Sequence, residues 1–160
     1  MYYSEFSTQF CDIIIAGDEQ GIRHLHLNTG QGKRQFSIAP DWQQNDVLFA
    51  EARRQIQAYA AGELKDFSLS LNPQGSAFQQ RVWQALYKIP FAQLRTYKDI
   101  AIAIAQPSAA RAVGMANSRN PIPLIVPCHR VIGSNGKLTG FAGGLDIKQR
   151  LIEWEQHCCK

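Results

Sequence analysis

Proline at 73 and glycine at 75, in the run Asn72-Pro73-Gln74-Gly75, interrupt any regular element that reaches them. Proline removes a backbone donor and glycine and asparagine favour turns, so helices and strands have to be assembled separately on the two sides. The chain has 160 residues, room for one ordinary domain or two small ones sharing an interface. The sides also differ in charge. Residues 1–75 hold six Lys/Arg against nine Asp/Glu, net −3, whereas residues 76–160 hold eleven against four, net +7. Two units are therefore expected, 1–74 and 75–160, the second carrying the positive charge. A surface of that kind suits a polyanion met from one side, nucleic acid first, although an ordinary basic surface has the same composition.

Before the break the pattern is short and strand-like. CDIIIAG (11–17) and GIRHLHLN (21–28), separated by Asp18, Glu19 and Gln20, predict a hairpin. Strict alternation puts Ile22, His24, His26 and Asn28 on one side of its second strand and Arg23, Leu25 and Leu27 on the other. Asp46 is placed to cap a helix over 47–61 whose apolar face is Leu48, Ala52, Ile56, Tyr59 and Ala60, and FSLSL (67–71) predicts a further strand. After the break, helices dominate. Ser76 with Gln79 and Thr96 with Asp99 are capping boxes, the first opening a helix that Pro90 stops, the second opening TYKDIAIAIA. Gln106-Pro107 then breaks the chain, and SAARAVGMAN (108–117) predicts a third helix almost bare of large side chains. Two short helices split by a turn resemble a helix-turn-helix. Small residues let a helix lie close to another helix or to nucleic acid, and spacing alone leaves both open. LIVPCHRVI (124–132) reads as a buried strand-like run. A loop with Gly133, Gly136, Gly140, Gly143 and Gly144 follows, and Asp146 with Gln149 is placed to cap a last helix, DIKQRLIEWEQ. No internal repeat is present.

Four cysteines (Cys11, Cys128, Cys158, Cys159) are too few and scattered for a disulfide framework, which makes thiol chemistry in a reducing, cytoplasmic setting an option. Apolar runs fall short of the roughly 18–20 residues a membrane helix needs, so no membrane partner is expected. Cys128 sits between Pro127 and His129 among Leu124, Ile125, Val126, Val131 and Ile132, held in a defined place. A thiol reacts as its thiolate and needs a partnered base, which His129 supplies. Neighbours in an extended segment point apart, so a bridging water is the expected link between them; a buried inert cysteine is the alternative. Glu155 falls four residues after Leu151 and eight after Ile147, on the face expected to bury, where a carboxylate needs a partner such as an imidazole. A slight rotation of the helix would instead leave it in solvent. Cys11, His24 and His26 could gather on the small sheet, but no four-ligand metal framework is present, and the glycines match no phosphate-binding loop. No cofactor and no metal are expected.

The string PIPLIVPCHRVIGSNGKLTGFAGGLDIKQRLIEWE (121–155), preceded by RTYKDIAIAIAQPSAARAVGMANSRN (95–120), resembles the O6-alkylguanine-DNA alkyltransferases. The likeness is dense and collinear over 76–155, with P-C-H-R-V as the family's signature. It implies an α+β fold: a small N-terminal ribonuclease H-like α/β domain and a C-terminal, mostly helical, winged-helix-like DNA-binding domain. Cys128 is then the alkyl acceptor, His129 the base acting through a water, and Glu155 the residue that orients it. Tyr97 would donate to N3 of the departing guanine, and Asn120 would brace the cysteine segment. The carbonyls of Cys128 and Val131 would read the exocyclic amine, while the Ala142 N–H faces O6 and Phe141 walls the pocket. Some relatives have serine at Ala142 and tyrosine is common at Phe141, departures that bear on alkyl-group preference. Arg111 would fill the gap left by the extruded nucleotide, with Ala109, Ala110, Ala112, Gly114, Met115 and Ala116 against the minor groove.

The implied activity is repair of double-stranded DNA by a single, irreversible transfer from O6-methylguanine, with O4-methylthymine an open second substrate. A monomer is expected. A lesion binder that flips the base without transfer, a helix-turn-helix regulator with a structural cysteine and a thiol hydrolase are the rivals.

Overall fold

The computed structural model describes residues 1–30, 36–138, 141 and 144–158. Strands β1 (Tyr2–Ser7), β2 (Asp12–Asp18), β3 (Gly21–Asn28) and β4 (Gln43–Gln44) form a sheet in the order β3-β2-β1-β4, antiparallel except for the β1-β4 edge. The predicted hairpin is β2-β3, but its side-chain alternation is broken. Ala16 pairs with His24 and Gly17 with Ile22, so Arg23 is an extra residue in β3. That bulge moves Ile22 to the buried face shared by Leu25 and Leu27. Gly17 is required at the bulge, because a Cβ there would collide with the carbonyl oxygen of Gly21.

Helix α1 (Ala50–Ala60) covers the sheet with Ala52, Ile56, Tyr59 and Ala60. It starts later than expected and Asp46 does not cap it, because that carboxylate accepts a hydrogen bond from Ser4 Oγ at 2.7 Å. The strand expected over 67–71 also fails to form, apart from one bridge between Leu71 and Ile22. Gln55 of α1 occupies the backbone that would have paired: Ser68 N–H donates to Gln55 Oε1 at 2.9 Å. Side-chain amides of this kind offer the backbone an alternative to a ladder.

Both predicted capping boxes are present. Ser76 opens α2 (Ala77–Tyr87) and Thr96 opens α3 (Tyr97–Ala103), each box contributing about 1 kcal/mol. The linker between the halves is pinned, with Gly75 so close to the Trp83 ring that a Cβ would lie 2.5 Å from Cη2. Trp83 Nε1–H in turn donates to the Ala116 carbonyl at 2.9 Å, tying α2 to α4 (Ala110–Ser118). Two short parallel strands, β5 (Arg95–Thr96) and β6 (Val131–Ile132), bring the start of α3 beside the segment that follows Cys128. Helix α5 (Leu145–Cys158) begins one residue before Asp146, which therefore lies in its first turn instead of capping it. This helix returns to the N-terminal half: Trp154 Nε1–H donates to the Tyr59 carbonyl, and Arg150 donates to the carbonyls of Gln9 and Phe10. One apolar core results, running from Ile13, Ile15 and Ile56 through Leu86 and Val113 to Ile122 and Leu151.

Candidate active site

Residues 128–130 form a 3-10 turn instead of the expected extended run. Pro127 lacks a donor, and the chain tightens through Cys128 N–H to the Val126 carbonyl at 2.7 Å and Arg130 N–H to that of Pro127 at 3.0 Å. Successive side chains leave such a turn about 120° apart, so Cys128 and His129 still diverge. Asn120 braces the preceding loop at two points. Its Nδ2 donates to the Val126 carbonyl at 2.8 Å, and its Oδ1 accepts from Ile122 N–H at 3.0 Å. Strand β3 holds the same loop from the other domain, Leu25 N–H donating to the Pro121 carbonyl at 2.8 Å.

Glu155 is buried and is the hub of the site. His129 Nε2 lies 2.7 Å from its Oε2, and Tyr59 O–H donates to that oxygen at 2.6 Å. Arg130 spans both oxygens, Nε to Oε1 at 2.8 Å and Nη2 to Oε2 at 3.0 Å, while its Nη1 donates to the Ile89 carbonyl at 2.7 Å. The Ala92 N–H adds a bond to Oε1 at 3.2 Å, from a residue whose φ of 64° places it in the left-handed region. Such a conformation costs a non-glycine residue about 1–2 kcal/mol, which the surrounding bonds must hold in place.

The charges follow from these contacts. Burial opposes ionisation of Glu155, yet His129 and Arg130 together hold its carboxyl well below the usual range. Burial lowers the pKa of His129 in spite of its carboxylate partner, with Arg130 and Lys148 adding to the effect, so the imidazole is neutral. Its Nε2–H then donates to Glu155, leaving Nδ1, which has no partner among the described residues, as the basic nitrogen. Burial and Glu155 push the Tyr59 phenol well above its ordinary value, which keeps it a neutral donor. Cys128 is 1% exposed and not in a disulfide, so the thiol is shielded from bulk solvent and reacts only with a group delivered to it at close range.

The other residues singled out from the sequence divide into an inner and an outer set. Tyr97 is half-buried at the start of α3, with Gly114 of α4 against its ring. Val131 and Phe141 are buried. On α4, Arg111 and Ala112 are exposed and Met115 is 59% exposed, while Ala109, Ala110 and Gly114 are half-buried. Ala116 is a correction. It is 2% exposed, facing the core under the Trp83 indole, and cannot lie against a ligand on the outer face. The small residues of this helix divide: Gly114 and Ala116 permit helix packing, whereas Ala112 faces outward with Arg111 and Met115. Ala142, Gly140, Gly143 and Cys159 lie outside the described residues. Cys11, His24 and His26 do not form a metal site. The histidines lie against Phe36 and Trp42, and among the described residues no three His, Cys, Asp or Glu gather as ligands. No helix among those residues is long and apolar enough to cross a membrane.

Four residues in or beside the Cys128–Glu155 cluster escaped the sequence argument as parts of it. Arg130 and Tyr59 bind Glu155, and Asn117 Nδ2 reaches the Cys128 carbonyl at 3.5 Å. Lys148 is fully buried, its pKa lowered to about 8 by burial and partly restored by the charge of Cys128. Its signal was available, since Lys148 precedes Leu151 by three residues and Glu155 by seven and so shares their face.

Residues 77–157 match the DNA-binding domain of 6-O-methylguanine DNA methyltransferase and residues 1–73 its ribonuclease-like domain. The methylated-DNA–protein-cysteine methyltransferase of Methanosarcina acetivorans is 51% identical over 99% of this chain and 100% of its own length. The constitutive enzyme of that name from Bacillus subtilis is 45% identical over 97% and 95%. A crystal structure of the Mycobacterium tuberculosis protein in complex with DNA superimposes with a TM-score of 0.90 at 40% identity, covering 99% of this chain and 94% of that one. Fold and site together define a DNA-binding repair transferase that uses one of its own cysteines. The chain belongs to the 6-O-methylguanine DNA methyltransferase family, which repairs DNA by moving an alkyl group from the damaged base to a protein thiol.

Proposed function

We propose that Cys128 is the alkyl acceptor and that the substrate is O6-methylguanine in double-stranded DNA, approached from the minor groove by a monomer acting in the cytoplasm. One observation carries this reading: a buried thiol adjoins a histidine whose Nε2 is held at 2.7 Å by a buried carboxylate, leaving Nδ1 as a base. The division of labour falls at residues 1–74 and 75–160. A target atom inside a stacked duplex is out of reach of a thiol 1% exposed, so the nucleotide must be flipped out. Arg111 and Met115, one helical turn apart on the outer face of α4, suit insertion and groove contact, and the guanidinium can stack on the bases left behind.

His129 takes the Cys128 proton through a water, and Lys148 steadies the resulting charge. The sulfur bonds to the alkyl carbon as the carbon–O6 bond breaks, and the electron pair leaves with guanine, which Tyr97 assists by a hydrogen bond to N3. Val131 and Cys128 offer carbonyls to the exocyclic amine, and Phe141, buried like them, walls the pocket. Nothing removes the alkyl group from a thioether, so each molecule acts once. The test is a duplex carrying a single O6-methylguanine, followed by peptide mass spectrometry. One methyl on the Cys128 peptide, absent in Cys128→Ser, is expected; unmodified protein or repeated turnover refutes the reading.

A further inference from the structure

We propose that Tyr59, a residue of the N-terminal domain, is a positioning residue for the transfer reaction: its phenol holds Glu155 and draws on the same carboxylate oxygen that faces His129, keeping the imidazole neutral and able to accept the Cys128 proton. The inference rests on the role proposed above for His129.

The geometry is specific. Glu155 Oε2 accepts from three donors at once, Tyr59 at 2.6 Å, His129 at 2.7 Å and Arg130 at 3.0 Å. A carboxylate oxygen has about two favourable lone-pair directions, so donors on one oxygen compete. A bare carboxylate beside a histidine stabilises the imidazolium and raises its pKa, which would leave His129 already protonated when a base is needed. Here the negative charge is spread over Arg130, the Ala92 amide and the Tyr59 phenol before His129 draws on it. Burial then prevails, and the histidine stays neutral.

The groups facing this pair come from every element packed on it. Tyr59 lies on α1, Arg130 and Cys128 belong to the 3-10 turn, and Lys148 and Cys158 belong to α5. Of these, Tyr59 is the uncharged donor that touches Glu155 from the other domain. Its ring is fixed independently of its hydroxyl, lying 6.0 Å from Phe91, 5.6 Å from Phe67 and 6.4 Å from Phe10 between centroids. Tyr59→Phe therefore removes the hydrogen bond and leaves the packing. With the phenol gone, Oε2 is freer to hold His129 as an imidazolium, and the imidazole titrates at higher pH.

The experiment is the single-turnover rate of alkyl transfer from an O6-methylguanine duplex to the full chain, measured from pH 5 to 9 for the wild type and Tyr59→Phe. The acid limb of the profile is expected to move up by about one pH unit. Near the foot of that limb the rate drops about tenfold, while the high-pH plateau stays within about twofold. An unchanged midpoint, or a uniform fall at every pH, overturns the proposal and leaves Tyr59 a packing residue. Incorporation of 3-fluorotyrosine at 59, a stronger donor of nearly the same shape, keeps the test decisive should Tyr59→Phe not fold: its midpoint moves down, and a midpoint that stays or rises overturns the proposal. A wild type that leaves Cys128 unalkylated overturns the functional reading itself, a result separate from any shift between variants.

Discussion

The surroundings of Glu155 and the outer face of α4 solve opposite problems. Around Glu155 the side-chain partners are buried, and five hydrogen bonds, from the side chains of Tyr59, His129 and Arg130 and from the Ala92 amide, converge on two oxygens. On α4, Arg111, Ala112 and Met115 project into solvent. The first arrangement fixes protonation states ahead of any substrate, at the cost of burying charge that only complete pairing makes tolerable. The second leaves side chains free to conform to a partner. Under the function proposed above, chemistry and recognition fall in these two separate regions, and substitutions in them should fail in different ways.

The largest separation is expected from Glu155→Ala. It strands the Arg130 guanidinium in the interior, which costs about 3–5 kcal/mol, and it frees His129 to tilt, so denaturant melts and transfer rates fall together. Acid titration sharpens the point. The folded carboxyl titrates below its ordinary 4.5, so its stabilisation is complete above about pH 4.5 and is lost as pH falls through the folded value. The wild type should lose stability steeply below that pH, and the variant should lack this component; identical acid slopes would show that Glu155 is not a paired carboxylate.

Next comes Asn120→Ala, which leaves the Val126 carbonyl and Ile122 N–H without their partners at a cost of about 1–3 kcal/mol in unfolding free energy. A loss confined to the transfer rate, with melting unchanged, would contradict its bracing role. The smallest effect on stability belongs to Arg111→Ala, within about 0.5 kcal/mol for an exposed position. Its signature is kinetic: repair within a duplex slows several-fold more than reaction with a free base analogue, and equal losses on both would erase the contrast between the two regions.

The sequence made the elements around the site legible wherever local chemistry decides them. Both capping boxes, the β2-β3 hairpin and the helix carrying Glu155 could be read directly, because Ser76, Thr96 and the spacing of Ile147, Leu151 and Glu155 act within a turn or two. Long-range competition was opaque. Nothing near Asp46 announces that Ser4 will claim its carboxylate, and nothing in FSLSL shows that Gln55 will take up the Ser68 backbone. Strand β1 went unread because polar Ser4 takes the buried face between Tyr2 and Phe6 while Tyr3 takes the opposite one, which hides the alternation. At the site, Cys128, His129 and Glu155 could be picked out by their residue types, whereas Tyr59 passed for an apolar helix face. A buried tyrosine hydroxyl needs a partner, but only the tertiary fold shows that its partner is Glu155, 96 residues away.

Helix α5 carries Glu155 and also closes over Tyr59, Phe10 and Gln9 of the N-terminal half. Synthesis on the ribosome proceeds from the N-terminus, and domains tend to fold as they emerge. The N-terminal half therefore precedes the helix that closes over it, and the carboxylate that orients the His129 imidazole is fixed only when α5 docks on Tyr59 and its neighbours. Assembly of the Glu155 cluster is in this way tied to the closing of one half of the molecule on the other.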